Sequence, residues 1–76
     1  MTRDEWMNLQ IGDRISNIKS PYAQNLIVAE IAEDQRSLQH WKDRGYTDVE
    51  RLCKMTREND SFHTWDGIHD NWIKHG

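Results

Sequence analysis

Leu9-Gln10-Ile11-Gly12-Asp13-Arg14-Ile15-Ser16-Asn17-Ile18, followed by Lys19-Ser20-Pro21-Tyr22-Ala23-Gln24, Asn25-Leu26-Ile27-Val28-Ala29-Glu30-Ile31-Ala32 and Glu33-Asp34-Gln35-Arg36-Ser37-Leu38, is the stretch on which the fold turns. Two runs rich in β-branched residues flank a loop that carries the chain's single proline. Gly12-Asp13 reads as a bend, since glycine takes positive φ at no steric cost. Arg14–Ile18 then reads as a first strand, broken at Ser20-Pro21 because proline lacks the ladder N–H. Leu26–Ile31 is the clearest strand. By the period of two, Ile27, Ala29 and Ile31 share one face, and Leu26, Val28 and Glu30 the other. A strand this apolar on both faces belongs at the centre of a sheet. Glu33-Asp34-Gln35-Arg36 reads as a polar hairpin turn and Ser37–Trp41 as a third strand, which makes a small antiparallel sheet.

Upstream, Thr2 and Glu5 have capping-box spacing. They predict a short helix over Thr2–Asn8, with Trp6 packed back on the sheet. This helix with Trp6, then Leu9-x-x-Gly12-Asp13-x-Ile15, the Ser20-Pro21 loop and Ile27-Val28-x-Glu30-Ile31, resembles the opening of small SH3-like barrel proteins, many of them encoded by bacteriophages and prophages. The resemblance covers about the first 31 residues. It implies a mainly β fold, a small SH3-like partly open barrel with short helices, and a viral accessory role acting on a host factor, counter-defence inhibition being one form. It implies no catalytic residue. A plain α+β arrangement, an antiparallel sheet with one packed helix, is the alternative.

Seventy-six residues make one domain. A domain this small buries only about 60% of its unfolded surface, and the four Trp supply large apolar area from few residues. One Cys excludes an internal disulfide and fits a reducing compartment. No apolar run has the length of a membrane span or signal peptide, so the expected setting is soluble and cytoplasmic, without a membrane partner. The net charge of −3 is well mixed along the chain. It lacks the basic stripe of a duplex binder and the large carboxylate excess of a nucleic-acid mimic.

In the second half, Thr47-x-x-Glu50 is another capping-box pattern. Val49, Leu52, Cys53 and Thr56 recur at helical spacing, and Glu50, Lys54 and Glu58 alternate in sign at i, i+4. A helix over Asp48–Glu58 is expected; as a strand, the same segment sets Arg51 beside Val49, Cys53 and Met55. Asp66-Gly67 between Ser61–Trp65 and Ile68–Ile73 signals a two-residue hairpin. In that register Trp65 faces Ile68, His63 faces Asp70 and Ser61 faces Trp72. A short helix from Asp66 is the rival. The expected core is Trp6, Trp65, Trp72, Ile15, Ile27, Ala29, Ile31, Leu38 and Leu52.

No catalytic site is legible, and neither enzymatic activity nor a cofactor is expected. His63, His69 and His75 with Asp66, Asp70 and Cys53 hold possible metal-ligating atoms, but the hairpin register parts His63 from His69. Cys53 on an apolar face reads as a small hydrophobe rather than a nucleophile. His63 opposite Asp70 lacks a nucleophile and reads as a cross-strand pair. Binding is the expected role. Trp41, Arg44 and Tyr46 combine hot-spot residue types within a loop between two elements, and with Tyr22 and its neighbours Ser20-Pro21 they form the expected surface for a protein partner. The structural alternative has Trp41 facing inward and Tyr46 stapling the next helix. Small barrels also bind single-stranded nucleic acid on aromatics in a basic groove. Trp41, Lys42, Arg44 and Tyr46 could edge such a groove, which is the second functional expectation.

Overall fold

Thr2 Oγ1 accepts the Glu5 N–H at 3.2 Å, and the Glu5 carboxylate accepts the Thr2 N–H at 2.9 Å. Two donors at the start of the helix are thus met, and helix α1 spans Arg3–Met7 in the computed structural model, which describes residues 1–76. Gly12 takes φ +99° at the expected bend. Strand β1 (Arg14–Asn17) and strand β2 (Leu26–Ala32) follow. Helix α2 (Gln35–Lys42), β3 (Leu52–Thr56), β4 (His63–Asp66) and β5 (Trp72–His75) complete the chain. The strands form one antiparallel sheet in the order β4-β3-β2-β1-β5. The protein is therefore mainly β, as expected, with two short helices and β2 at the centre. The sheet is open: β4 and β5 are its edges.

Two segments differ from expectation by exchanging identities. Ser37–Trp41 is not a strand but the body of α2, and the Glu33–Arg36 segment is not a hairpin turn. Asp34 is the N-cap, its side chain accepting the Ser37 N–H at 3.0 Å. Conversely, Asp48–Glu58 is not a helix but leads into and through β3, and Thr47 caps nothing. The Arg51 that spoiled a strand face is accommodated by carbonyls. Its Nη1 donates to Leu9 O at 2.9 Å and its Nη2 to Glu33 at 2.7 Å, while Trp6 Nε1 donates to Arg51 O at 3.1 Å. Helical spacing lost because pairing β3 between β2 and β4 buries Cys53 and Met55 completely.

The Asp66-Gly67 hairpin is also absent. β4 pairs with β3, and β5 pairs with β1 at the opposite edge. His63 stands opposite Thr56, Trp65 opposite Lys54, and Trp72 opposite Asn17. Gly67 is not at positive φ; the glycines that are so placed are Gly12 and Gly45. Instead Asp66 makes an Asx turn, its Oδ1 accepting the Gly67 and Ile68 N–H groups at 2.8 and 3.0 Å. Its Oδ2 accepts Trp72 Nε1–H at 2.8 Å.

The main core contains Trp6, Leu9, Ile15, Ala23, Leu26, Val28, Cys53, Met55 and Trp72. Leu38, Val49 and Leu52 form a satellite under α2. Of the expected core, Trp6, Trp72, Ile15, Leu38 and Leu52 are buried; Ile27, Ala29 and Ile31 are only half-buried, and Trp65 is exposed. A register shift between Val28 and Glu30 explains the β2 residues. A strict period would share a face among Leu26, Val28 and Glu30, driving a carboxylate into the core. The bulge at Ala29 resets the alternation. Glu30 then lies opposite Lys54, its carboxylate 3.0 Å from Nζ, while Ile31 lies opposite the buried Cys53.

Two stability measurements follow. Gly67→Ala should destabilise by about 1–3 kcal/mol through overpacking, because an added Cβ falls 2.8 Å from both Leu52 Cδ2 and Val49 Cγ1. Urea unfolding checks this, and an unchanged midpoint would mean the satellite core yields freely. Trp72→Phe keeps an aromatic ring but removes the donor to Asp66, and should cost about 1–3 kcal/mol; in an Asp66→Ala background the same substitution should cost distinctly less.

Candidate functional site

The site is built by the end of α2. Its termination signal is Trp41-Lys42-Asp43-Arg44-Gly45-Tyr46, with Gly45 at φ +99°. The Gly45 N–H donates to Lys42 O at 2.9 Å and the Tyr46 N–H to Trp41 O at 3.3 Å. This is the paired bond pattern of a Schellman cap, which brings the residue after the glycine back onto the last turn. Tyr46 accordingly packs on Trp41, with ring centroids 5.3 Å apart and planes at 51°. Trp41 is half-buried against the satellite core and Tyr46 is 45% exposed.

Between α2 and the outer face of the sheet lies an open groove of about 920 Å³. Ala32, Leu52, Trp41 and Trp65 supply its apolar surface, while Arg36, His40, Asp43 and Arg44 are its charged or titratable lining residues. Trp65 stands on the edge strand β4 and is 37% exposed. Arg14, Arg51, Lys54 and Lys74 each hold a carboxylate within salt-bridge distance, but Arg36, Arg44 and Lys42 do not. Asp43, the one carboxylate on the groove, accepts Gln39 Nε2–H at 2.8 Å. The groove thus has two tryptophans and two free guanidinium groups, on a chain whose net charge is −3. Lys42 turns instead to a smaller cavity of about 470 Å³ beside Asp48 and Glu50.

Of the expected binding residues, Trp41 and Arg44 line this groove, and Tyr46 supports it through Trp41. Tyr22 does not join them. Its loop precedes the first residue of β2, whereas α2 follows the last, so the two lie at opposite ends of the central strand. Tyr22 is 70% exposed, and its carbonyl accepts Arg57 Nη2–H at 3.2 Å. Trp65, Arg36 and His40 were missed. The spacing Arg36, His40, Arg44 at i, i+4, i+8 was a signal for one helix face, hidden by reading that segment as strand and loop. Nothing local marked Trp65, whose exposure depends on β4 being an edge.

The histidines do not converge. His63 begins β4 opposite Thr56 of β3, not opposite Asp70, so the expected His63–Asp70 pair is not formed. His69 Nδ1 lies 3.1 Å from Asp70 and 3.0 Å from Met1 O, and His75 Nε2 lies 2.6 Å from Ser16 Oγ. No three His, Cys, Asp or Glu side chains are grouped to hold a metal ion. The Ser16–His75 pair has a positioning role in the loop: Ser16 is 3% exposed, borders neither cavity, and accepts the N–H of Asn25, which sits at φ +53°. Cys53 lies on β3 rather than on a helix and is fully buried. Burial pushes its thiol up to about 11, with Arg51 opposing. No helix is long and apolar enough to cross a membrane.

Cys53 should therefore resist thiol reagents until the protein unfolds. Its pKa is higher folded than unfolded, so its stabilising contribution is complete below the unfolded value and is lost as pH rises through the folded one. Stability should fall between pH about 9 and about 11, and a Cys53→Ala variant should show a shallower fall over that window in denaturant titrations.

Comparison of the chain with protein-family models, with curated proteins and with solved structures gives no match.

Proposed function

We propose that this protein is a non-enzymatic binding protein that docks a protein partner in the groove between α2 and β3–β4. The observation that carries the reading is the pairing of two part-exposed tryptophans, Trp41 and Trp65, with the unpartnered Arg36 and Arg44 around one open groove. Trp and Arg dominate binding hot spots because each offers a large rigid surface with a polar handle. The remaining chemistry supports binding over turnover: the buried thiol is held protonated, and the Ser16–His75 pair borders no cavity. A host protein as the partner, bound in the manner of a counter-defence inhibitor, is the part of the proposal that rests on the likeness of residues 2–31 to phage-encoded small barrels.

Single-stranded nucleic acid is the second reading. The same tryptophans offer stacking faces and the same arginines phosphate contacts. Only two free cations line the groove, however, and phosphate binding usually recruits more.

Affinity capture from a nuclease-treated bacterial lysate separates the two. The expected result is a protein retained by the native chain and lost with Trp65→Ala and Arg44→Ala, both folding with a melting temperature close to the native one. Retention by both variants would remove the groove from the function. A catch that disappears on nuclease treatment, with binding to single strands that weakens steeply with salt, would establish the second reading instead.

A further inference from the structure

Resting on the groove reading above, we infer that the occupant is an extended acidic protein segment that adds to the edge strand β4 as a sixth strand, its alternate carboxylates turned to Arg36 and Arg44.

The backbone of β4 is the first support. Arg57 N–H donates to Phe62 O at 3.1 Å, and the register runs on through Thr56–His63, Met55–Thr64, Lys54–Trp65 and Cys53–Asp66. Hydrogen-bonded and non-bonded pairs alternate in an antiparallel ladder. Phe62, Thr64 and Asp66 therefore direct their polar backbone groups toward β3, and His63 and Trp65 direct theirs outward. Those outward groups are a template for a further strand.

The two edges of the sheet are not equivalent. β5 carries Lys74 and His75 and runs beside the N-terminal segment, where Met1 N donates to Trp72 O. β4 has neither lysine nor proline, and its one carboxylate, Asp66, is turned to Trp72. Such an unprotected edge invites pairing.

Charge selects the occupant. A strand beside β4 has alternate side chains on the face of Trp65, and that face leads into the groove lined by Arg36 and Arg44. Two guanidinium groups without carboxylate partners favour carboxylates there. Apolar side chains at the intervening positions would extend the opposite face of the sheet. A second copy of this chain is a poorer occupant, since its own β4 would present His63 and Trp65 and no carboxylate on that face.

The probe is a fluorescein-labelled peptide of alternating Glu and Val, measured by anisotropy against 15N-labelled protein whose amides are followed by hydrogen exchange. Binding with a Kd below roughly 1 mM, slower exchange at the His63 and Trp65 amides, and at least a tenfold weakening in an Arg36→Glu, Arg44→Glu variant of native melting temperature are expected. N-methylation of the peptide's glutamate amides leaves its charge intact but removes the donors that an antiparallel strand turns to His63 and Trp65, and should abolish binding. Equal binding of the methylated peptide, of a Lys–Val analogue or of oligo-dT would overturn the inference. So would amides at His63 and Trp65 already protected by self-association. If the Glu–Val peptide fails while groove variants still lose the captured protein, the strand-addition inference falls and the groove reading stands. If groove variants keep their partner, the groove reading itself falls.

Discussion

One hydrogen bond, from Trp72 Nε1–H to Asp66 Oδ2 at 2.8 Å, joins the two edges of an otherwise open sheet. β4 and β5 lie at opposite ends of the strand order, so no backbone ladder can couple them. The indole is 1% exposed, and a buried N–H without an acceptor would cost about 1–3 kcal/mol. Asp66 supplies that acceptor from the far edge while its other oxygen shapes the turn into Gly67 and Ile68. The main core is thereby enclosed by side chains, not by closure of the sheet. This arrangement leaves the outer edge of β4 without a partner.

The second constraint is the exclusion of charge from that core. The bulge at Ala29 turns Glu30 to Lys54 and returns Ile31 to the core side. It also sets Ala32 opposite Leu52, where both border the groove beneath α2. Arg51 is accommodated differently: its guanidinium reaches the Leu9 carbonyl and Glu33, and its own carbonyl holds Trp6. The first helix, β3 and the start of α2 are thus linked by one side chain whose Nε alone lacks a partner.

The groove is a consequence of how α2 ends. The Gly45 cap returns Tyr46 to Trp41 and places Arg44 at the mouth. Because α2 lies over Leu52 and Ala32, its Arg36 and His40 line the groove together with Arg44 of the cap and Trp65 of β4. Two aromatics that are far apart in the chain line one groove, and Arg36 and Arg44 beside them have no carboxylate within salt-bridge distance.

What the sequence by itself determined is what local chemistry decides. Thr2 and Glu5 cap a helix reciprocally, Gly12 bends the chain, and the β-branched runs around Ile15 and Val28 extend as strands. That Trp41 and Arg44 are hot-spot residue types close together in the chain was legible for the same reason, since residue type and spacing can be read without a fold, although Trp41 lies on α2 and not in a loop. Two further local signals were present but hidden, and the remainder was decided by the tertiary structure alone. Asp34 capping Ser37 and Gly45 returning Tyr46 are local signals that a strand reading of Ser37–Trp41 concealed. Helical spacing at Val49–Thr56 was real but weaker than the two ladders and the carbonyl partners that β3 gained. Asp66-Gly67 carried the hairpin signature, yet Asp66 finds its acceptor role with Trp72, which lies on the other edge. Whether Trp65 faces core or solvent depends on which strands flank β4, and strand order is set by long-range pairing that no local spacing encodes.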